Sequence, residues 1–303
     1  MVRNPWMFWS EALRLRESVA PRLMLNVLAF GLFSLAVYEV DCYEHIDIRV
    51  PVGPYEVAGV LLGLLLVMRT NAGYDRWWEA RKAWGGIVNQ SRNLAVAGLV
   101  YGPPDPDWKD RFARWTAAFP HAARSSLRDR RDVPELTCLL GPEEAESVTS
   151  AQHMPTYVAA RLALLLEEAD LDRFAFLQAD RERAMLIDHL GVCERIKGTP
   201  LAQPFSILIR QFILLFLLTL PFALLHKFAE AADPLLVPLV MMMVAYAILG
   251  LDQIGVELQS PFDPMRLGHL PLDAICQTIE TNVLALVSTT HGPLDAPMSA
   301  RLK

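Results

Sequence analysis

The residues able to do chemistry in this 303-residue chain are dispersed rather than gathered. Its histidines (His45, His121, His153, His189, His226, His269, His291) are scattered along the sequence with no ligand or relay spacing. Cys42, Cys138, Cys193 and Cys276 form no CxxC and no Cys/His pattern, which leaves isolated thiols rather than a zinc site or disulfide framework. There is no GxSxG turn, Walker loop, HExxH pair or glycine-rich strand-to-helix turn. No enzyme, catalytic residue, metal or cofactor is therefore expected. Asp252 and Glu257 close the last apolar run. They read either as a proton or ion site or, more plainly, as groups at the water boundary where a span ends.

A different kind of chemistry is suggested by residues 54–98. From Val57 to Met68 this stretch is almost purely apolar; from Arg69 onward it is densely charged, with no proline to interrupt it. Val60, Leu64 and Met68 recur every four residues and so fall near one stripe of a helix. Such a stripe is ordinary core packing in a helix that stands alone. Where several copies surround an axis, it is an apolar constriction that gates by dewetting. Arg76, Trp77 and Trp78 follow two turns later, and an arginine beside two tryptophans suits cation–π packing at a helix interface.

The elements that must position these residues are helices. Hydrophobic residues make up 53% of the chain and the mean hydropathy is positive, which points to an integral membrane protein with a substantial polar part. Four spans are expected over residues 23–40, 55–70, 205–225 and 234–251. Residues 71–200 and 252–303 read as a helical cytosolic region, with breaks at PPDP (103–106) and punctuation by Pro120, Pro134 and Pro155. Arg210 lies near one end of the third span, where it can snorkel, and Pro221 is a candidate kink. The whole of 1–303 is expected to be one integral membrane unit with a cytosolic portion.

Basic residues set the orientation. Arg3, Arg14, Arg16 and Arg22 precede the first span, and the loop after it holds Asp41, Glu44 and Asp47 against Arg49 alone. The positive-inside rule then places both termini and the 101–200 block in the cytoplasm of a multi-pass protein. Trp6, Phe8 and Trp9 suit the membrane interface. A net charge of −6 argues against a nucleic-acid partner.

Three segments carry a resemblance. RTNAGYDRWWEARKAWGGIVNQSRNL (69–94) is similar to the signature of bacterial bestrophin homologues, and CERIKGTPL (193–201) and ELQSPFDP (257–264) agree in order and distance. What the resemblance implies is an all-α membrane protein in the inner membrane. It would be a homopentamer around one central pore, with four transmembrane helices per subunit, a large helical cytosolic region and the lipid bilayer as its surroundings. Its neck would be Val60, Leu64 and Met68. A second constriction at the cytosolic exit would fall at Leu177, with Gln178 as the rival, and the RWW residues would hold subunits together. Animal bestrophins clasp calcium with an acidic run after SPF; here Asp263 is followed by Pro264, Met265 and Arg266, so no such clasp is expected.

Animal members conduct anions, and some bacterial relatives pass sodium. The aliphatic and sulfur-containing neck lacks aromatic rings whose positive edges favour anions, and the acidic outer loop concentrates cations. The expected function is therefore a channel for monovalent ions, cations before chloride. The alternatives are an anion channel of the bestrophin type and a non-conducting membrane scaffold or sensor.

Overall fold

A computed structural model of the chain describes residues 7–14, 18–44, 49–200, 202–228 and 235–290. The expectations placed on Arg3, Trp6, Arg16, Asp47 and the tail after 290 lie outside the described residues. Eleven helices make up the described chain, which contains no strand. In order they are α1 (Met7–Ala12), α2 (Ala20–Glu44), α3 (Gly53–Tyr101), α4 (Pro106–Leu127), α5 (Pro134–Leu140), α6 (Pro142–Ser150), α7 (Met154–Glu168), α8 (Arg173–Gly198), α9 (Gln203–Lys227), α10 (Leu236–Leu258) and α11 (Leu272–Thr290).

Four of these (α2, α3, α9 and α10) are long and apolar enough to cross a membrane. Each runs past the apolar stretch that marks it in the sequence. The extreme case is α3, which spans 49 residues without a break, about 70 Å at 1.5 Å per residue. It carries no internal proline, and it stops where glycine and two prolines follow at 102–104. The next helix starts with Asp105 as N-cap, its carboxylate accepting the Asp107 N–H at 3.0 Å, and Pro106 in the first turn.

By compactness the chain divides into two units, Met1–Trp77 with Pro200–His269, and Trp78–Thr199 with Leu270–Lys303. The first unit is built from α2, α9, α10 and the opening turns of α3. Its core joins Leu62 and Leu66 of α3 to Ile209, Ile213, Leu217 and Leu220 of α9 and to Met241 and Ala245 of α10. These positions recur at three- and four-residue intervals, so each helix gives one stripe to the core.

The second unit is organised on α4, which packs against α5, α7, α8 and α11. Trp108 and Phe112 stack with centroids 4.9 Å apart, and the buried indole N–H of Trp108 donates to the Leu165 carbonyl at 3.1 Å. Gly98 lies so close to the Phe112 ring that no side chain fits there. Pro134 and Pro155 occupy first turns, as their lack of an N–H favours. Pro120 differs from the sequence expectation: it lies inside α4 and does not end it. A proline costs a helix interior about 3 kcal/mol, and the near-continuous burial of residues 115–125 offsets that cost.

Candidate functional site

The first half of α3 presents two faces. Leu62, Leu66, Arg69 and Gly73 form its buried stripe. Val60, Leu64 and Met68 lie on the other side and are 66%, 59% and 61% exposed. Val57, Leu61 and Val67 are exposed beside them. The exposed run therefore repeats at helical spacing for three turns and is wholly apolar, although no described residue of its own unit covers it. A contiguous bare apolar face of this kind marks a surface that meets lipid, a second chain or a dewetted passage.

What holds the face outward lies on the other side of the helix. The guanidinium of Arg69, 1% exposed, pairs with the carboxylate of Asp252 on α10, itself 8% exposed. Arg210 of α9 reaches the same carboxylate, with Nε 3.4 Å from Oδ2. One turn further, a Cβ on Gly73 would stand 3.1 Å from the Gly255 carbonyl oxygen, so α3 and α10 approach backbone to backbone. Arg76 Nε then donates to the Gln259 carbonyl at 3.4 Å, and the Trp77 indole N–H donates to the Gly268 carbonyl at 2.7 Å. Tyr74 stacks on Trp77 with centroids 6.2 Å apart. Arg76 and Trp77 are thus bound to the segment after α10 of their own chain, and Trp78 is nearly half exposed.

That segment, SPFDPMRLGH, is itself fastened by Glu257. This carboxylate is 3% exposed and accepts from Arg22 Nη1 at 2.6 Å, Gln253 Nε2 at 2.7 Å and the Leu267 N–H at 2.8 Å. Arg22 also donates to the Met265 carbonyl at 3.2 Å. Asp263 accepts the Met265 N–H at 2.9 Å and faces Arg266 at 3.7 Å. Asp252 and Glu257 are therefore not boundary residues, as their sequence position suggested. Both are buried and both are ligated by arginines. Arg210 brings its Nε to Asp252 while its side chain stays more than half exposed. Among the described residues no group of three His, Cys, Asp or Glu side chains is placed to hold a metal ion.

In the second unit, Leu177 and Gln178 share the exposed side of α8 with Phe174, opposite buried Ala175 and Ala179. Asp172 caps this helix, accepting from the Phe174 and Ala175 N–H groups at 2.9 and 3.3 Å. Gln178 donates to Glu182 at 2.8 Å, which also accepts from Asn93 of α3 at 3.3 Å, whereas Leu177 stands free as an apolar side chain. The CERIKGTPL segment closes α8: Arg195 pairs with Glu79 at 2.6 Å, Lys197 with Asp129 at 2.6 Å, and Glu194 accepts from His153 at 2.7 Å. Burial pushes the Cys193 thiol up to about 12, with Glu194 and Glu79 adding to the shift.

A second charged joint ties α4 to α5 and α11. His121 is buried and hydrogen-bonds through Nε2 to Glu280 at 2.8 Å. Arg124 reaches Glu135 at 3.0 Å and Asp273 at 3.1 Å, and Arg128 reaches Asp273 at 2.9 Å. Burial lowers the His121 imidazole below its ordinary 6.5 against the raising effect of Glu280, and Arg124 lowers it further. For Glu135 and Asp273 burial alone raises the carboxyl, but hydrogen bonds and the arginine charges more than offset it and hold both below their usual values.

Comparison with known proteins agrees with these features. Residues 1–285 match the family described as bacterial/fungal bestrophin protein. A protein of Synechocystis sp. named as a voltage-dependent anion channel-forming protein is 31% identical over 297 residues, which covers 94% of this chain and 93% of that one. A Nostoc sp. protein of the same description is 33% identical over 291 residues, covering 91% of each. Among solved structures, a bacterial bestrophin homologue from Klebsiella pneumoniae superposes with a TM-score of 0.78 at 27% identity, covering 89% of this chain and 99% of that one.

Proposed function

We propose an ion channel as the function of this chain, which belongs to the bacterial and fungal bestrophin family. The observation that carries the reading is the bare apolar stripe of Val60, Leu64 and Met68, turned outward by a buried, charge-ligated face of the same helix. A helix that leaves such a stripe uncovered in one copy is completed by further copies around an axis. In this reading five chains assemble in the bacterial inner membrane, and the three residues form an apolar neck that gates by dewetting. Leu177 forms a second constriction at the cytosolic exit, with Gln178 beside it. Trp78, with Arg76 and Trp77 behind it, packs against the neighbouring subunit. Both compact units then belong to one channel domain over residues 1–303. Residues 71–200 and 252–303 are cytosolic, as are both termini. The partners are the permeating ions, the bilayer and the other subunits.

For the permeating ion we favour monovalent cations such as sodium. Residues 39–56 carry five carboxylates against Arg49 as the one Lys or Arg, and this excess favours cations at the mouth. Arg49 takes up one of them, pairing with Asp41 at 3.0 Å. Anion conduction is the second reading. The names of the Synechocystis and Nostoc relatives support it, as does the cluster of Arg69 and Arg210 around a single carboxylate behind the neck. Reversal potentials of the reconstituted protein under a sodium chloride gradient decide between them. A value at the sodium equilibrium potential supports the first reading, and one at the chloride potential replaces it with the second. Protein that reconstitutes as an assembled oligomer and passes no ion at any potential is a scaffold or sensor, and the channel reading fails.

A further inference from the structure

Resting on the channel reading above, we propose that Arg69 is a positioning residue for the neck: its buried pairing with Asp252 sets the rotation of α3 that presents Val60, Leu64 and Met68. Arg69 follows Met68 directly, yet the two differ completely in surroundings, 1% against 61% exposed. Successive residues of a helix are about 100° apart, so fixing the direction of one side chain fixes that of the next. At the level of the neck the other buried side chains of this face are aliphatic, Leu62 and Leu66 against the core of α9 and α10, and the hydrogen bonds of Arg76 and Trp77 lie two turns further on. Aliphatic contacts are non-directional and tolerate a small turn of the helix about its axis. A buried charge pair does not, because turning the helix would separate two charges that water does not reach.

The joint is built for this role. Gly255 packs directly against the arginine stem: a Cβ there would lie 3.4 Å from Cγ and 3.5 Å from Nε of Arg69, ordinary contact distances. Gly73 on α3 marks the tighter approach, since a Cβ there would stand 3.1 Å from the Gly255 carbonyl oxygen and 3.2 Å from Cβ of Leu258. Asp252 joins three helices, since Arg69 comes from α3 and Arg210 from α9. Removing one partner of a buried pair leaves the other charge uncompensated, and the helix must turn or admit water to relieve it. A turned α3 carries its neck residues away from the axis.

The test uses the full-length protein in planar bilayers, with Leu64→Cys as reporter and a charged, water-soluble thiol reagent as probe. The rate at which the reagent alters the current is compared in Arg69→Gln, Asp252→Asn, Arg69→Lys and the exchanged pair Arg69→Asp/Asp252→Arg. Arg210→Gln is included because its side chain is more than half exposed, so its loss is expected to disturb the fold least. Elution volume confirms assembly of each variant. We expect Arg69→Gln and Asp252→Asn to change the rate by about tenfold, the equivalent of about 1.4 kcal/mol, with partial return in Arg69→Lys. Arg210→Gln is expected to shift it in the same direction by less. Assembled variants with the parent rate overturn the positioning role and leave the channel reading intact, as does an Arg210→Gln protein with the parent rate if the other variants do not assemble. Absence of current in the parent protein overturns both.

Discussion

Replacing Glu257 with glutamine should loosen the segment that follows α10 more than any other single isosteric change in the first unit. The carboxylate is 3% exposed and accepts three donors, two on Oε1 and one on Oε2. An amide has one oxygen and one NH2. Whichever way it is turned, a donor faces a donor: the Leu267 N–H in one orientation, Arg22 and Gln253 in the other. A buried donor left unmet costs about 1–3 kcal/mol, and hydrogen bonds to an ionised acceptor contribute about 1.5–3 kcal/mol each. Taking the two effects as overlapping, the substitution costs about 3 kcal/mol. At about 2–4 °C per kcal/mol for a unit of this size, Tm should fall by about 6–12 °C. Arg22→Ala should cost less, because Arg22 is 43% exposed at its side chain and leaves Gln253 and the Leu267 N–H in place. Thermal unfolding of the detergent-solubilised protein, followed by tryptophan fluorescence, measures both. A Glu257→Gln protein within about 2 °C of the parent, or one more stable than Arg22→Ala, would refute the reasoning.

Three further outcomes follow from the second unit and the thiols. A maleimide at neutral pH should label Cys42 and Cys138, which are exposed, and spare Cys193 and Cys276, whose thiols burial pushes up to about 12; peptide mass spectrometry reads this directly. Because burial holds the folded-state His121 below 6.5, the unfolded chain binds the extra proton as pH falls through 6.5, and stability should begin to drop there. In His121→Gln the acid loss should start only as Glu135 and Asp273 are protonated, since their depressed values confer stability above the ordinary carboxyl range that is lost as pH falls through the folded-state values. Tm against pH for the two proteins checks both statements. Gly98→Leu should prevent the second unit from folding, because the Phe112 ring already fills the site; soluble, assembled protein from that variant would contradict the packing described.

Hydropathy made the four spans legible, because a membrane helix must present an unbroken apolar run and the described residues hold four such runs. The stripe of Val60, Leu64 and Met68 was legible for the same local reason: a period of four residues is written in adjacent turns. Partners distant along the chain were not. Arg69 and Asp252 are separated along the chain by the helices of the second unit and one other span, and a charge at the end of an apolar run looks the same whether it ends in water or in another helix's arginine. Glu257 was hidden in the same way, since its donors come from α2, from its own helix and from the loop beyond. Pro120 was misread because propensity is local, while the burial that outweighs it comes from α7 and α11. The fivefold assembly proposed above has no periodic trace in the sequence, and only the resemblance of three linked segments suggests it.

The central claim is that ions pass along an axis lined by the exposed stripe of α3. It is tested most directly by single-channel currents of the assembled protein against those of Leu64→Ala, in the same bilayer and the same salt. Currents are expected in the parent, with a higher conductance or open probability in Leu64→Ala, because a smaller, less apolar ring is easier to wet. Silence in both, or identical currents in both, would contradict it.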